Sequence, residues 1–150
     1  MAKSTTSKVF RPGTTGDLFW QQLGVPGRGP RLFEQLKAGF HYRFFVLLAE
    51  LSGLQKKQLS TLLAISPATL ARRANTGRFT PAESDRLFRC AEILKAAIDL
   101  FEGDQNGACR WMINPSIGLN GKAPIEMLRS ATEASAVEDL IGRLEHGVIA

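Results

Sequence analysis

The stretch LQKKQLSTLLAISPATLARRANTG, Leu54 to Gly77, decides the fold of this 150-residue chain. Leu59, Leu62 and Leu63 recur at three- and four-residue steps, which gives a short first helix its inner face. Ala64, Ile65 and Ser66 make a tight turn, with Ile65 as the apolar side chain that pins it to a core. Ser66 then supplies an N-cap, and Pro67 a first helical position where its missing N–H removes no hydrogen bond. The inner side of this second helix is Leu70 with Ala71 or Ala74. Two short helices joined by so short a turn have the spacing of a DNA-binding helix-turn-helix, here over residues 55–76.

The chemistry of the second helix separates it from ordinary packing. Its outward positions are Ala68, Thr69, Arg72, Arg73 and Thr76. Thr69 lies near the N-terminus, where recognition helices meet base edges, while Arg72 and Arg73 fork to guanine O6/N7 or grip phosphate. Lys56 and Lys57 open the preceding helix, an end where the macrodipole disfavours cations, so a neighbouring phosphate explains them better. The expected DNA-contacting set is Lys56, Lys57, Ser66, Thr69, Arg72, Arg73 and Thr76. A purely structural hairpin with solvated arginines competes with this reading; turn, cap and charge together favour DNA.

Helical spacing continues on both sides. Residues 1–29 hold Pro12, Gly13, Gly16, Pro26, Gly27 and Gly29, and read as a flexible arm with at most one short turn at DLFWQQLG. Pro30 opens a helix covering Leu32, Phe33 and Leu36, and Gly39 ends it. Phe40, Phe44, Leu47, Leu48 and Leu51 line the next helix, with Gly53 past its end. Thr80, Pro81 and Glu83 form the clearest start signal, a capping box, followed by a stripe of Leu87, Ala91, Leu94, Ile98 and Phe101 about five turns long. A last helix carries Val137, Leu140, Ile141 and Leu144. No segment alternates with period two, so the fold class is all-α: an arm at 1–29, a helix-turn-helix domain at 30–103 and a small helical domain at 104–150.

Charge is unevenly spread. Residues 1–53 carry seven Lys/Arg against three acids, 54–100 eight against four, and 101–150 four against seven. A basic front suits phosphate backbones and an acidic back suits a different partner. Lys3 and Lys8 are followed by no apolar run, and no stretch approaches membrane-spanning length, so a cytoplasmic protein without membrane association is expected. Cys90 and Cys109, with His41 and His146, are too scattered to suggest a metal site, and core thiols are the expectation. SIGLNGKA misses a phosphate loop twice, having Ser116 where glycine is needed and Ala123 where Ser or Thr is needed. No nucleophile elbow accompanies the serines. Neither enzymatic activity nor a cofactor is implied.

Residues from about Leu54 to Ala150 resemble the Xre/MbcA/ParS-type antitoxins, small bacterial proteins joining an Xre-like helix-turn-helix to a C-terminal toxin-binding domain. The resemblance is carried by Thr69-Leu70-Ala71-Arg72-Arg73, Glu83-Ser84-Asp85-Arg86-Leu87, Trp111 with Asn114-Pro115, the Leu119–Gly121 loop leading to Pro124, and Glu145-His146-Gly147. It implies a RES-domain toxin as partner, an NAD-consuming enzyme whose cleft the antitoxin covers, and operator DNA bound to repress its own operon. Asn120 replaces the second member of the family's glycine pair, and Thr132-Glu133-Ala134-Ser135 departs from its glycine-containing turn.

Within the resembled half, Trp111 either anchors the end of its helix or joins a contact surface. Pro115 stops that helix, Gly118 and Gly121 permit unusual backbone angles, and Pro124 with Glu126 starts the next. The expected toxin-binding set is Trp111, Asn114, Leu119, Lys122, Arg143, His146, Gly147, Val148, Ile149 and Ala150. Gly147 lets the last three residues turn either into the toxin's active site or back onto the chain's own core. A homodimer reading two half-sites is expected, because one short hairpin spans few base pairs. The rival readings are a stand-alone regulator whose C-terminal half serves dimerisation, and an interaction adaptor that never touches DNA.

Overall fold

The computed structural model describes residues 18–147. Residues 18–23 are helical (α1), followed by α2 (Pro30–Ala38), α3 (Tyr42–Ser52), α4 (Lys56–Leu62), α5 (Pro67–Thr76), α6 (Pro81–Leu100), α7 (Gln105–Ile113), two 3₁₀ turns (Ile117–Leu119 and Pro124–Met127) and α8 (Ala131–Glu145). Among the described residues no strand forms, and the fold is all-α as the spacing predicts. An isolated antiparallel bridge joins His41 to Arg78.

The long helix α6 organises the rest. Thr80 Oγ1 accepts from the Glu83 amide at 3.2 Å while Glu83 Oε1 accepts from the Thr80 amide at 2.9 Å, so the predicted capping box closes. Burial on α6 is wider than the single stripe read from the sequence: Phe88, Cys90, Ile93 and Ala97 are covered beside Leu87, Ala91 and Leu94. The cause is that four helices, α2, α3, α7 and α8, all pack on α6. One cluster of buried side chains therefore runs from Phe19 to Ile141. Burying each of Val137, Leu140 and Ile141 of α8 contributes about 1.5–3 kcal/mol before chain entropy is charged against it.

One expectation needs correction. Residues 18–29 do not belong to a flexible arm: Phe19 and Leu23 are buried, and Trp20 stacks on Phe88 with ring centroids 5.0 Å apart. Their aromatic content outweighs the glycines and prolines around them. In α2, Leu32 is buried but Phe33 is 58% exposed, because the helix lies on α6 through one narrow edge.

A strap between distant loops holds the front of the molecule. The Phe79 amide donates to Phe40 O at 2.9 Å, the Tyr42 amide to Gly77 O at 2.8 Å, and Arg78 Nη1 to Gly39 O at 2.7 Å. Gly39 has φ +88°, and a Cβ there would fall on the Phe79 carbonyl oxygen. Fully buried Ser84 completes the strap, accepting from the Phe40 amide at 2.8 Å and donating to Thr80 O at 2.7 Å.

Candidate functional site

The helix-turn-helix is α4 and α5. The Gln55 amide donates to Gln58 Oε1 at 3.0 Å to start α4, leaving Lys56 and Lys57 exposed on its first turn. Leu59 and Leu63 are fully buried and Leu62 partly so. The turn passes through Ala64 at φ 59°, and Ile65, buried, pins it as the sequence predicts. Two arginines close the end of α4: Arg86 Nε donates to Leu63 O at 2.9 Å, and Arg129 Nη2 to Thr61 O at 3.2 Å.

Helix α5 has no buried residue. Ala71 and Ala74, offered as inner positions, are exposed, and Leu70 alone leans on the core from the expected inner face. The helix is held instead at its ends. Ser66 Oγ accepts from the Thr69 amide at 3.2 Å, Pro67 opens the first turn, and the strap catches Gly77 at the exit. The remaining hold is Arg73, whose Nε and Nη2 donate to the two carboxylate oxygens of Glu83 at 2.7 and 2.9 Å.

That pair corrects the reading of Arg73. Its side chain is only 18% exposed, turned from the outer face toward α6 with its fork filled by Glu83. Arg73 is a strut between α5 and α6, and while the pair holds it has no fork left for a guanine. The hydrogen bond from Arg73 holds the Glu83 carboxyl below the usual carboxylate range against the opposing effect of burial, with the Thr80 amide adding to it. The sequence reading gave Glu83 only its capping role; a tertiary partner ten residues upstream leaves no mark on local spacing.

The outer face of α5 keeps Thr69, Arg72 and Thr76. Thr69 Oγ1 accepts from Ser66 Oγ at 3.0 Å and from Arg72 Nη2 at 3.2 Å, so its own hydroxyl proton is unspent. Arg72 is exposed and pairs with no acid among the described residues. Thr76 Oγ1 is exposed and donates to Arg78 O at 3.4 Å. Ser66, Thr69 and Arg72 thus form one polar line along the N-terminal half of α5, with Lys56 and Lys57 on the neighbouring helix.

The second surface lies on α7, the 3₁₀ turns and α8. Trp111 is half-buried beside Phe101, ring centroids 6.4 Å apart, and packs against the core more than it faces solvent. Asn114 ends α7, its Nδ2 donating to Arg110 O at 2.7 Å. Asn120 takes φ 57° and Gly121 φ 83°, so asparagine stands where the family's glycine would and tolerates the left-handed backbone; Gly118 needs no such angle. Pro124 opens only a 3₁₀ turn. Leu119, expected on the surface, is 5% exposed because its turn packs on α8. Ile117, not singled out from the sequence, is 92% exposed, and Ile113 50%. Nothing in the local spacing of Trp111 to Leu119 marks either of them as exposed.

Lys122 is exposed, 4.0 Å from Glu133. Arg143 and His146 are exposed at the end of α8, the His146 ring Nδ1 lying 2.7 Å from Gly142 O, and Gly147 turns left-handed at φ 74°. Val148, Ile149 and Ala150 lie outside the described residues. Burial pushes the Cys90 thiol up to about 12 and raises that of Cys109. Among the described residues no three His, Cys, Asp or Glu side chains gather as a metal site, and no helix is long and apolar enough to cross a membrane.

A helix-turn-helix with an outward basic line, sharing its central helix with a second helical unit that shows solvent a different surface, defines the class: a DNA-binding module fused to an interaction module. Residues 32–92 match the antitoxin Xre-like helix-turn-helix domain, and residues 96–147 the antitoxin Xre/MbcA/ParS C-terminal toxin-binding domain. The chain belongs to the Xre/MbcA/ParS antitoxin family. It is 38% identical to an antitoxin Xre of Yersinia enterocolitica over 139 residues, covering 91% of this chain and 94% of that protein. An antitoxin Xre of Photorhabdus laumondii is 32% identical over 146 residues, 95% of this chain and 99% of that protein. One from Pseudomonas putida is 35% identical over 68 residues, 45% of this chain and 42% of that protein. The two matched segments meet inside α6.

Proposed function

We propose that this chain neutralises a RES-type, NAD-degrading toxin by covering its active site, and represses its own operon as a symmetric dimer on operator DNA. The observation that carries the reading is the placement of the two surfaces. The line Ser66, Thr69 and Arg72, with Lys56 and Lys57, belongs to α4 and α5, while Asn114, Lys122, Arg143 and His146 belong to the segment matched as toxin-binding. One chain can therefore hold DNA and toxin together.

Thr69 and Arg72 read base edges, and Lys56 and Lys57 neutralise phosphate. Gly147, left-handed at the end of α8, supports a chain that leaves the helix axis and directs Val148, Ile149 and Ala150 into the toxin's cleft. The work is expected in the cytoplasm, where NAD and DNA are both met.

The test is co-expression with the reading frame beside this chain's gene. Complex formation, rescue of growth and preserved cellular NAD are expected, together with salt-dependent binding to the promoter upstream of the pair. Removal of 147–150 is expected to keep thermal stability and operator binding while cellular NAD falls. A neighbouring toxin that leaves NAD untouched refutes the RES assignment. DNA binding with no toxin bound points to the stand-alone regulator.

A further inference from the structure

We propose that Ile117 is the anchor residue of the toxin interface, seating in an apolar pocket on the toxin. The proposal rests on reading residues 96–147 as the toxin-binding unit and needs no particular toxin chemistry.

Most large apolar side chains of this unit find cover: Leu119, Ile125, Leu128, Val137, Leu140 and Ile141 are buried, while Ile113 is half-exposed. Ile117 stands out at 92% exposure. A single exposed aliphatic residue on a loose loop would need no explanation. This one is held out by a tightly bonded frame. Ser116 O accepts from the Leu119 amide at 3.1 Å and the Gly121 amide at 2.9 Å, and the Ser116 amide donates to Lys122 O at 3.0 Å. The Asn120 amide donates to Ile117 O at 3.1 Å, and the Lys122 amide to Leu119 O at 3.1 Å. Leu119 then plugs the turn onto α8, two residues from the side chain that faces water.

Such a frame does for Ile117 what preorganisation does for any ligand. The backbone has little freedom left to lose on docking, and a β-branched side chain is already stiff at χ1. Its surroundings have the composition of an interface centre. Half-exposed Ile113 ends α7 four residues earlier, while exposed Asn114, Asn120 and Lys122 supply a polar rim. The occupant follows from position. The turn lies within the matched toxin-binding segment, beside Asn114 and Lys122, which already belong to the proposed toxin-binding surface.

The experiment titrates full-length protein and its I117A, I117D and I117V variants against the toxin encoded beside its gene. Affinity is expected to fall about tenfold or more for I117A, further for I117D, and to stay within about threefold for I117V. All variants should keep the wild-type Tm and DNA affinity, since the side chain supports no internal packing. I117D binding the toxin within about threefold of wild type overturns the proposal, whatever the toxin does to NAD. I117D that dissociates a dimer yet retains toxin affinity also overturns it, by making the face a self-interface. If the variants weaken a toxin that spares NAD, Ile117 stands as the anchor and the RES assignment falls. Failure of the wild-type protein to bind the toxin overturns both.

Discussion

Replacing Gly39 with alanine tests the strap that fixes the exit of α5. Two costs add at this position. The backbone sits at φ 88° and ψ 135°, a region side-chain-bearing residues hardly populate, which costs about 1–3 kcal/mol. The new Cβ also falls on the Phe79 carbonyl, so one of the two backbone segments must retreat. The Phe79–Phe40, Tyr42–Gly77 and Arg78–Gly39 hydrogen bonds span that same gap, and weakening one or two costs about 0.5–1.5 kcal/mol each. The total is roughly 2–5 kcal/mol, or a fall in Tm of about 5–15 °C for a domain of this size. Gly53→Ala is the control: φ is 74° there with nothing within 4 Å of a Cβ, so only the left-handed strain of about 1–2 kcal/mol applies. Thermal and urea unfolding followed by circular dichroism compare the two. If G39A melts within about 2 °C of wild type, or no lower than G53A, the strap does not carry the strain assigned to it.

The two arginines of α5 should separate cleanly. Arg72→Ala is expected to weaken operator binding by about 1–3 kcal/mol with Tm unchanged, whereas Arg73→Ala lowers Tm as well as DNA affinity, and Arg73→Lys restores neither fully because it cannot fork onto Glu83. Equal Tm for both alanine variants in calorimetry would contradict the strut. The pH dependence has two opposed contributors. Glu83 is depressed chiefly by Arg73, so its stabilisation is full above the unfolded value of about 4.3 and is lost as pH falls through its lower folded value; Arg73→Ala should reduce that acid-side loss in a Tm–pH profile, the Thr80 contribution remaining. Glu92 is raised, first by burial and then by Glu138 and Asp85, against the pull of Arg89, so it destabilises as pH rises from about 4.3 through its higher folded value. Glu92→Gln should therefore raise Tm at pH 7 and leave it unchanged well below pH 4, measured on the same profile.

What was legible in the sequence was local. Ser66 with Pro67 and Thr80 with Pro81 and Glu83 are signals complete within four residues, and the structure places each cap where spacing puts it. Leu59, Leu63 and Ile65 are buried as their spacing in the hairpin predicts. The misreadings are tertiary. Helical periodicity turns Arg72 away from Leu70 and leaves Arg73, three residues on, near its face; what spacing does not show is that Glu83 of α6 stands there to fill the Arg73 fork. Glycine and proline density made 18–29 look like an arm, because the covering partner of Trp20 is Phe88, far along the chain. In the candidate interface, a 3₁₀ turn of three residues gives no period from which to tell Ile117 from Leu119. Which of them faces water is decided by α8.

Because α6 is the floor of both units, the two activities share one mechanical fate. Ile93, Leu94 and Ala97, at the boundary between the two matched segments, are buried. No cut there leaves a clean edge on either fragment. If the chain acts as proposed above, a protease that opens this helix would free the toxin and lift repression in one event, so release of the poison and renewed synthesis of its guard would begin at the same moment.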